Sequence, residues 1–438
     1  MTAAAKVGAP FDTVIGDATG LAIPAHEDAL RAAGADFLTR AFHAFGTLDP
    51  ANRVTRVVDV THCPGGSTGS KCFLTVEYAD DRVGLPRALF VKFSRDFADA
   101  QRDNRGKFEM EGEVRLAELS RQAAFPVRIP RPLFADYQRA SHTGVLITEQ
   151  VRFGEGAIAP HHGKCLDYRI DDAPAHYRAI IAALAQLAAA HRSGRLGDAV
   201  EQRFPWTPET SGESLAIPLT EAELRSKVAA FADFVARAPQ LFPRRLRDPA
   251  FFARLAEEAV PFVREQAAIA RFLRSDPNVV ALCHWNAHID NAFFTRAADG
   301  SLSCGLMDWG HAGQMNLGFA LWGCLSGAEL STWDDHFDGL LALFLAELAQ
   351  DGGPTLAPAD LRLHFDLYVA VMTLSYFLDS PTRIVQRLPE ACDQPDRRSA
   401  AFVACETARN QLQIATVALN LWQNHDLGGS IGRMLSRG

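Results

Sequence analysis

The chain has 438 residues, and its 44 Lys and Arg against 52 Asp and Glu give a formal net charge of −8 at pH 7. With 48% hydrophobic and 22% charged residues it has the composition of a folded globular protein, which excludes a disordered chain. The acidic balance disfavours nucleic-acid binding through bulk positive charge. The length exceeds that of one simple hydrophobic core, so two or more lobes are expected.

The cysteines and the apolar stretches bound the cellular context. The eight cysteines are irregularly spaced and form no C-x-x-C pair, which predicts neither a disulfide framework nor a zinc ribbon. The most apolar stretch, residues 179–190, is interrupted by Gln186 and is shorter than the roughly 20 residues of a membrane-spanning helix. The first residues lack the apolar run of a secretory signal. We expect reduced thiols, no membrane partner and a cytoplasmic location.

The predicted elements change character along the chain. Apolar residues at helical spacing predict an amphipathic helix over 24–45. Strands are predicted at 54–60, 72–78, 88–93 and 144–151, with a helix at 108–122 among them. From residue 174 onward helical patterns dominate, apart from two short strands at 291–295 and 303–307 around an Asp299-Gly300 turn.

This order predicts an α/β (α+β) fold with two lobes. The smaller N-terminal lobe would contain an antiparallel sheet and one helix, and the larger C-terminal lobe would be helical. The predicted divisions are a helical extension at 1–50, the small lobe at 51–151 and the helical lobe at 152–438.

Polar segments flank the short predicted hairpin on both sides. Before it the chain reads His284-Trp285-Asn286-Ala287-His288-Ile289-Asp290-Asn291, and after it Asp308-Trp309-Gly310. Phosphoryl transfer needs a group that orients the attacking hydroxyl and oxygen ligands that hold Mg²⁺ on the phosphates. Because Asn291 enters the hairpin and Asp308 leaves it, the two side chains are predicted to meet at one metal ion.

This spacing resembles the H-x-D-x-x-x-x-N catalytic loop and the D-x-G metal loop of protein kinases. It is more similar still to the small-molecule kinases of the aminoglycoside phosphotransferase and choline kinase type. Upstream, the segment 65–70 resembles the nucleotide-covering loop of that family, with Gly66, Ser67 and Gly69 as its candidate contacts. Lys92, in an apolar strand, matches the lysine that holds the α- and β-phosphates. The resemblance covers roughly residues 55–325.

The resemblance also implies a protein-kinase-like fold, further site residues and an activity. Glu149 and Val151 fall on the run into the interlobe hinge and are candidate nucleotide contacts. Glu111 is the best match for the ion-pair partner of Lys92, and Glu109 and Glu113 are its competitors. The implied reaction moves the γ-phosphoryl group of ATP, with GTP as an alternative, to a hydroxyl of a small molecule, with Mg²⁺ on Asn291 and Asp308. The oligomeric state stays open.

One residue departs from the family pattern, because Asn286 stands where the catalytic aspartate is expected. An amide is not a base at pH 7, and general-base assistance is typically worth ~10²–10⁴-fold in rate. In a loose phosphoryl-transfer transition state, however, positioning and electrostatics dominate. Three interpretations remain open: Asn286 orients the acceptor in a slower kinase, His288 or Asp290 acts as the base, or the chain is a nucleotide-binding pseudokinase with little chemistry.

Other motifs on the same segments fail their structural requirements. A Walker loop needs Lys directly after Gly69, where Ser70 stands, and a nucleophile elbow at Ser67 needs a following helix where a strand is predicted. A zinc-protease motif needs Glu after His284, where Trp285 stands. These absences leave phosphoryl transfer as the best-supported chemistry.

An uneven charge distribution follows the metal loop. Residues 297–361 hold nine acidic residues and no Lys or Arg. The resemblance places the acceptor groove among helices of this region, which predicts a cationic or neutral small-molecule acceptor. A solvated acidic helix face is the alternative explanation.

Overall fold

A computed structural model describes residues 9–81, 84–207 and 215–437. The described chain divides into two compact units. The first unit comprises residues 9–158 together with the short segments 202–204 and 305–312, and the second unit takes the remaining described residues. The segment 305–312, which contains Asp308, thus belongs to the same unit as Lys92.

The first unit is a sheet with helices. Its elements are, in chain order, β1 (Thr13–Ile15), β2 (Ala22–Pro24), α1 (Glu27–Ala44), β3 (Val54–His62), β4 (Ser70–Tyr78), β5 (Ala88–Phe93), α2 (Ala100–Leu119), β6 (Pro132–Gln138) and β7 (Thr143–Glu149). The five strands β3 to β7 form one antiparallel sheet in the order β3-β4-β5-β7-β6. This confirms the predicted small antiparallel lobe with its helix.

Alternation of side chains places the core of the first unit on one face of the sheet. Cys72, Leu74 and Val76 on β4 and Leu89 and Val91 on β5 are buried in a common cluster. Because side chains alternate between the faces of a strand, the intervening residues of β4 and β5 lie on the opposite face. That opposite face carries Lys92.

Helix α1 belongs to the core of the first unit. Its apolar stripe, which includes Leu30, Phe37 and Phe42, is buried in the same cluster as the sheet. The ring centroids of Phe37 and Phe134, on β6, are 5.8 Å apart in an edge-to-face arrangement. The helix predicted at 24–45 is therefore confirmed, and it packs on the sheet as an integral part of the unit.

Two elements of the first unit differ from the prediction. Helix α2 begins at Ala100 rather than at 108, because the Asp99 side chain accepts hydrogen bonds from the backbone N–H groups of Gln101 and Arg102 and caps the helix. Its polar first half has no apolar periodicity, which hid it. Strand β6 was not predicted, since Pro132 reads as a strand breaker; as the first residue of an edge strand it costs no ladder hydrogen bond.

Asp136 anchors the N-terminal segment on β6. Its buried carboxylate accepts hydrogen bonds from the backbone N–H groups of Ala18 (3.1 Å) and Thr19 (3.0 Å) and from the Thr19 hydroxyl. A Cβ at Gly16 would collide with this carboxylate, so glycine is needed for the close approach. The anchor joins residues that are more than one hundred positions apart in sequence.

The second unit is mainly helical. From residue 159 onward the elements are α3 (Ala173–Arg192), α4 (Ala199–Arg203), α5 (Glu221–Arg237), α6 (Pro249–Arg264), α7 (Gln266–Ser275), β8 (Val280–His284), β9 (Ala292–Arg296), β10 (Leu302–Leu306), β11 (Ala312–Asn316), α8 (Leu317–Leu325), α9 (Phe337–Gln350), α10 (Pro358–Ser375), α11 (Ser380–Arg387), α12 (Ala400–Ala404), α13 (Glu406–Asn424) and α14 (Ser430–Leu435). Strands β9 and β10 confirm the predicted hairpin.

Helix α3 is the central helix of the second unit. Most of its side chains, from Tyr177 to His191, are buried, which explains why its sequence is apolar almost all round. Among the described residues no helix is both long enough and apolar enough to cross a membrane.

Replacing Asp136 tests the anchor. Asp136→Ala removes the acceptor for two backbone N–H groups and a hydroxyl, so we expect the free energy of unfolding to fall by about 2–4 kcal/mol. Urea unfolding of the full chain measures the loss, and limited proteolysis should show faster cleavage within residues 9–25. Asp12→Ala, which removes only an exposed pair with His26, should change stability by less than about 0.5 kcal/mol. Equal stability of the two variants would contradict the anchor.

Candidate active site

The glycine-rich segment 65–70 connects β3 to β4 and is held by α2. The Gly69 backbone N–H donates to the carbonyl of Arg102 at 3.0 Å, and the Arg102 guanidinium donates to the carbonyl of Gly65 at 3.0 Å. Gly69 has φ of +51°, and a Cβ there would collide with the carbonyl oxygen of Phe93. The predicted loop is therefore a turn between strands that only glycine can close at this point.

Lys92 lies at the centre of the first unit, between two carboxylates. Its ammonium donates to Glu113 Oε1 and, at 2.6 Å, to Asp308 Oδ1. The side chains of Lys92 and Glu113 are 4% and 3% exposed, whereas that of Asp308 is 43% exposed. One buried cation is thus shared by a buried acid and an acid that reaches solvent.

Burial and charge oppose each other at this cluster. Burial alone would lower the pKa of Lys92, but the Asp308 and Glu113 carboxylates outweigh it and hold the pKa above its ordinary value. Burial raises the pKa of Glu113, and the carboxylate of Asp308 adds to this effect. Lys92 therefore stays charged, and it is the group that makes the burial of Glu113 possible.

The predicted partner of Lys92 is corrected by the structure. Glu111 does not contact Lys92; it accepts hydrogen bonds from Arg115 at 2.6 Å and from Arg139 at 2.7 Å. Two residues along a helix turn the side chain by about 200°, so Glu111 and Glu113 point in nearly opposite directions. Glu109, the other competitor, lies 3.6 Å from His311.

A second lysine, Lys71, lies beside Lys92 and was missed by the sequence analysis. The antiparallel register of β4 and β5 places Lys71 directly opposite Lys92, on the same face. Its ammonium lies against Gly66, where a Cβ would collide with it. Burial and the neighbouring Lys92 lower its pKa. Only the strand register reveals this pairing, and the sequence alone does not fix a register.

Two aromatic rings share that face of the sheet. Phe73 and Phe90 are opposite each other in register, one pair along from the two lysines, and their ring centroids are 5.9 Å apart. Both rings are partly exposed. The face therefore offers an apolar platform next to two positive charges.

Asp308 follows β10 in a left-handed backbone conformation, with φ of +61° and ψ of +60°. Asp tolerates this region better than most residues with a Cβ. The next residue, Trp309, is buried and donates from its indole to the carbonyl of Leu306 at 3.1 Å, which fixes the turn. The turn and the Lys92 contact together set the direction of the Asp308 carboxylate.

The predicted hinge residues end β7. The backbone N–H and the carboxylate of Glu149 both contact the backbone of Arg131, at 2.9 and 3.0 Å. Gln150 donates to the carbonyl of Ala88 and closes the strand, and Val151 follows it. Glu149 and Val151 thus lie on the strand that pairs with the Lys92 strand; a nucleotide contact for them stays a prediction.

The predicted catalytic loop lies in the second unit, between β8 and β9. The Asn291 side chain donates from Nδ2 to the backbone carbonyl of Asn286 at 2.9 Å, and the Asn286 backbone N–H donates to His284 Nδ1 at 3.3 Å. His284 is fully buried, as its predicted structural role requires. The loop therefore fixes the positions of Asn286 and Asn291 relative to each other.

Lys164 contacts this loop and was not anticipated. Its ammonium donates to Asn286 Oδ1 at 3.4 Å, a long hydrogen bond. The acceptor-orienting oxygen proposed from the sequence thus already faces a positive charge. The contact joins residues 122 positions apart, and no local pattern indicates it.

The two alternative bases differ from Asn286 in their environment. His288 is 4% exposed, and burial lowers its pKa well below the ordinary value, so the imidazole is neutral. Burial also raises the pKa of Asp290, whose backbone carbonyl accepts from His161 at 2.8 Å. Asn286, by contrast, is partly exposed. It is the residue of the three with the best access to an acceptor.

The residues predicted to hold Mg²⁺ have suitable chemistry. Because Nδ2 of Asn291 faces a carbonyl, its Oδ1 faces away and is the atom left for a cation. Asp308 supplies a partly exposed carboxylate. Amide and carboxylate oxygens are hard ligands of the kind that Mg²⁺ takes. No cluster of three or more His, Cys, Asp or Glu side chains suited to a metal occurs within 9–81, 84–207 and 215–437.

Comparisons with known proteins follow from this geometry. No protein-family model and no curated protein sequence matches the chain. Among solved structures it resembles Plasmodium vivax ethanolamine kinase, with 11% identity, a TM-score of 0.40 and coverage of 82% of this chain and 81% of that one. It also resembles a spectinomycin phosphotransferase in complex with ADP and spectinomycin, with 11% identity, a TM-score of 0.41 and coverage of 84% and 94%.

A third matched structure is the GDP complex of aminoglycoside 2′-phosphotransferase-IIIa, with 14% identity, a TM-score of 0.38 and coverage of 82% of this chain and 93% of that one. By their descriptions these proteins are small-molecule kinases and phosphotransferases, the class that the motifs resemble. The predicted resemblance is thus confirmed. The roles of individual residues depend on the contacts described above.

A buried carboxyl beside the loop gives a pH test. Asp167 is 2% exposed and accepts from the Tyr177 hydroxyl at 2.5 Å; burial raises its pKa to about 7. Because the folded-state pKa lies above the unfolded one, the cost of ionising Asp167 is absent below pH 4 and grows as the pH rises towards 7. We expect stability relative to Asp167→Asn to fall by about 2–3 kcal/mol between pH 5 and 8.

Urea unfolding of both proteins at several pH values measures this difference. Asp172→Asn is the control, because Asp172 only caps α3 near the surface and should give no such slope. A wild-type minus Asp167→Asn difference that is constant from pH 5 to 8 would show that Asp167 is ionised normally.

Proposed function

We propose that the chain is a metal-dependent phosphotransferase that moves the γ-phosphoryl group of ATP to a hydroxyl of a small molecule. The observation that carries this proposal is the buried Lys92 ammonium between Glu113 and the partly exposed Asp308. A buried lysine with both a buried acid and a solvent-facing acid is suited to hold phosphate oxygens beside a metal ligand. GTP is an alternative donor.

The first unit supplies the groups that suit a nucleotide. Lys92 and Lys71 place two ammonium groups on one face, below the glycine-rich turn, where they would neutralise phosphate charge. Phe73 and Phe90 lie next to them on the same face and would pack against the base. Polar and apolar contacts are thus arranged along one line of the sheet, as a nucleotide requires.

Magnesium would be held by the Oδ1 atom of Asn291 and the carboxylate of Asp308. When bound, it neutralises charge on the phosphate oxygens during transfer. Lys92 donates to Asp308 Oδ1 and so orients the carboxylate before any ion arrives. Asn291 is oriented in the same way by the Asn286 carbonyl.

Asn286 would orient the acceptor hydroxyl rather than remove its proton. Its amide cannot act as a base at pH 7, but its oxygen accepts a hydrogen bond. Lys164 donates to that oxygen at 3.4 Å, so a hydroxyl would share the atom with an ammonium. In a loose transition state the hydroxyl proton leaves late, and orientation suffices for a slow reaction.

The competing function is a nucleotide-binding pseudokinase. The observation in its favour is the same pair, because an amide already engaged by Lys164 offers neither a base nor a free oxygen lone pair aimed at it alone. Both functions share the nucleotide site of the first unit and differ only at the loop. The two tests below separate them.

Two glutamates provide a matched test of the nucleotide site. Glu113→Gln removes the carboxylate that fixes Lys92, and we expect the affinity for Mg-ATP to fall about tenfold or more, as for loss of a charge-assisted hydrogen bond. Glu111→Gln, two residues away and paired with Arg115 and Arg139, should change it less than about twofold. The thermal shift with Mg-ATP or Mg-GTP reports both affinities through ligand-linked stabilisation.

A larger loss of affinity in Glu111→Gln than in Glu113→Gln would refute the assignment of the Lys92 partner. Absence of any thermal shift with either nucleotide, in wild type and variants alike, would refute the nucleotide site itself. Lys71→Gln serves as a further check, since it is expected to weaken Mg-ATP binding while leaving the Lys92–Glu113 pair in place.

Variants at Asn286 test the chemistry. If Asn286 orients the acceptor, wild type transfers phosphate and Asn286→Ala loses roughly 10–100-fold in kcat, since positioning is removed but the nucleotide site is kept. Mg-ATP affinity should stay within about twofold of wild type. Single-turnover assays with radiolabelled ATP and a metabolite library measure both quantities. A silent wild type, together with an Asn286→Asp variant that gains turnover, would instead establish the pseudokinase.

A further inference from the structure

The acidic residues that suggested a cationic acceptor are mostly paired with distant arginines. Within the second unit, five of the nine acids between 297 and 361 lie within 4.0 Å of a guanidinium: Glu329 with Arg398, Asp334 with Arg245, Asp338 with Arg362, Asp351 with Arg195 and Asp360 with Arg437. Asp308 pairs with Lys92 in the first unit. The charge imbalance is a property of the linear sequence and leaves no acidic groove to bind a cation.

The second unit instead contains a basic pocket. It is lined by Cys165, Tyr168, Glu329, Arg397, Arg398, Arg409, Leu412 and Gln413. Three of these residues are arginines and one is a glutamate. Tyr168 and Leu412 add a small apolar wall, and the residue preceding Cys165 is Lys164, so a further positive charge lies next to the lining.

The arginines of this pocket differ in what already satisfies them. Arg398 pairs with Glu329 at 3.2 Å and lies 4.3 Å from the centre of the Tyr168 ring. Arg409 is 9% exposed and donates to the backbone carbonyls of Lys164 and Val403, at 3.0 and 2.5 Å. Its charge has no carboxylate within 4.0 Å in the described part of the chain.

Arg397 is the guanidinium with the least compensation. It donates to the neutral amide oxygen of Gln413, whose own Nε2 is committed to the carbonyl of Ala328 at 2.6 Å. Across the described ranges no carboxylate lies within 4.0 Å of it, and burial lowers its pKa despite the attraction of Glu329. A largely desolvated cation without a partner is costly, so an anion in the pocket would be strongly favoured.

Lys164 connects this pocket to the catalytic loop. Its backbone carbonyl accepts from Arg409, and its ammonium contacts Asn286 Oδ1. The distance between the two sites is thus spanned by a single lysine residue. A small molecule that places an anionic group in the pocket can therefore reach Asn286 with a hydroxyl group.

We propose that the acceptor is a hydroxycarboxylate, with its carboxylate held in the pocket by Arg397 and Arg398 and its hydroxyl directed to Asn286. A monoanion fits better than a phosphate monoester, because Glu329 already offsets Arg398 and one negative charge then compensates Arg397. The planar fork of a guanidinium also matches a carboxylate in geometry. This assignment rests on the proposed phosphotransferase function and names the class of its acceptor.

A ligand panel tests the acceptor class without any variant. Hydroxycarboxylates of two to six carbons are compared with their own carboxamides, with amino alcohols and with glycerol phosphate, in thermal-shift and Mg-ATP turnover assays on the full chain. We expect at least one hydroxycarboxylate to bind and to be phosphorylated, with its carboxamide at least about tenfold weaker, because the amide loses the charge-assisted contact to arginine.

Variants then locate the carboxylate. Arg397→Gln should reduce the preference for carboxylate over carboxamide at least about tenfold while leaving the Mg-ATP shift unchanged. Arg397→Lys, which keeps the charge, should retain part of the preference and guards against a folding defect. Arg437→Gln, which removes an exposed pair with Asp360, is the matched control and should behave as wild type.

Two results overturn the assignment while leaving the phosphotransferase in place: turnover of amino alcohols or of neutral alcohols in preference to every hydroxycarboxylate, and preferential use of glycerol phosphate. A full carboxylate preference in a folded Arg397→Gln variant overturns the pocket as its origin. Absence of a thermal shift with Mg-ATP and Mg-GTP refutes the proposed function itself, and the acceptor assignment with it.

Discussion

The first unit depends on one constraint, the burial of a lysine ammonium. Lys92 is 4% exposed on the side chain, and an uncompensated charge at that depth would be prohibitively costly. Its two carboxylates come from a helix that follows in sequence and from a turn more than two hundred residues later. The sheet, α2 and the segment 305–312 must therefore all be placed before the charge is satisfied, which explains why 305–312 belongs to this unit.

The sequence predicted those parts of the fold and site whose signal is local. The apolar strand around Lys92, the hairpin between Asn291 and Asp308 and the glycine-rich turn each have a recognisable pattern within ten residues. The partner of Lys92 was misassigned, although helical periodicity contained the answer. Glu113 lies three positions after Met110 and four before Ala117, both buried, whereas Glu111 lies off that face.

Other features depend on contacts that no local pattern encodes. The pairing of Lys71 with Lys92 requires the β4–β5 register, and the contact between Lys164 and Asn286 requires the tertiary fold of the second unit. The same limit explains the charge distribution. Acids in 297–361 are concentrated in sequence, yet their arginine partners come from positions as far apart as 195 and 437. Charge patterning along a chain therefore does not give the charge of a surface.

The amide at position 286 and the basic environment around it form a consistent chemical arrangement. A carboxylate at 286 would form an ion pair with Lys164, which would lower its pKa and weaken it as a base. An amide leaves the Lys164 charge uncompensated, and with Arg397 and Arg409 it produces a positive potential around the loop. That potential would repel an ammonium and attract an acid. In this chain the loss of a general base is thus coupled to the gain of an electrostatic site for an anion, so the acceptor hydroxyl would be positioned by the charge of the molecule that carries it.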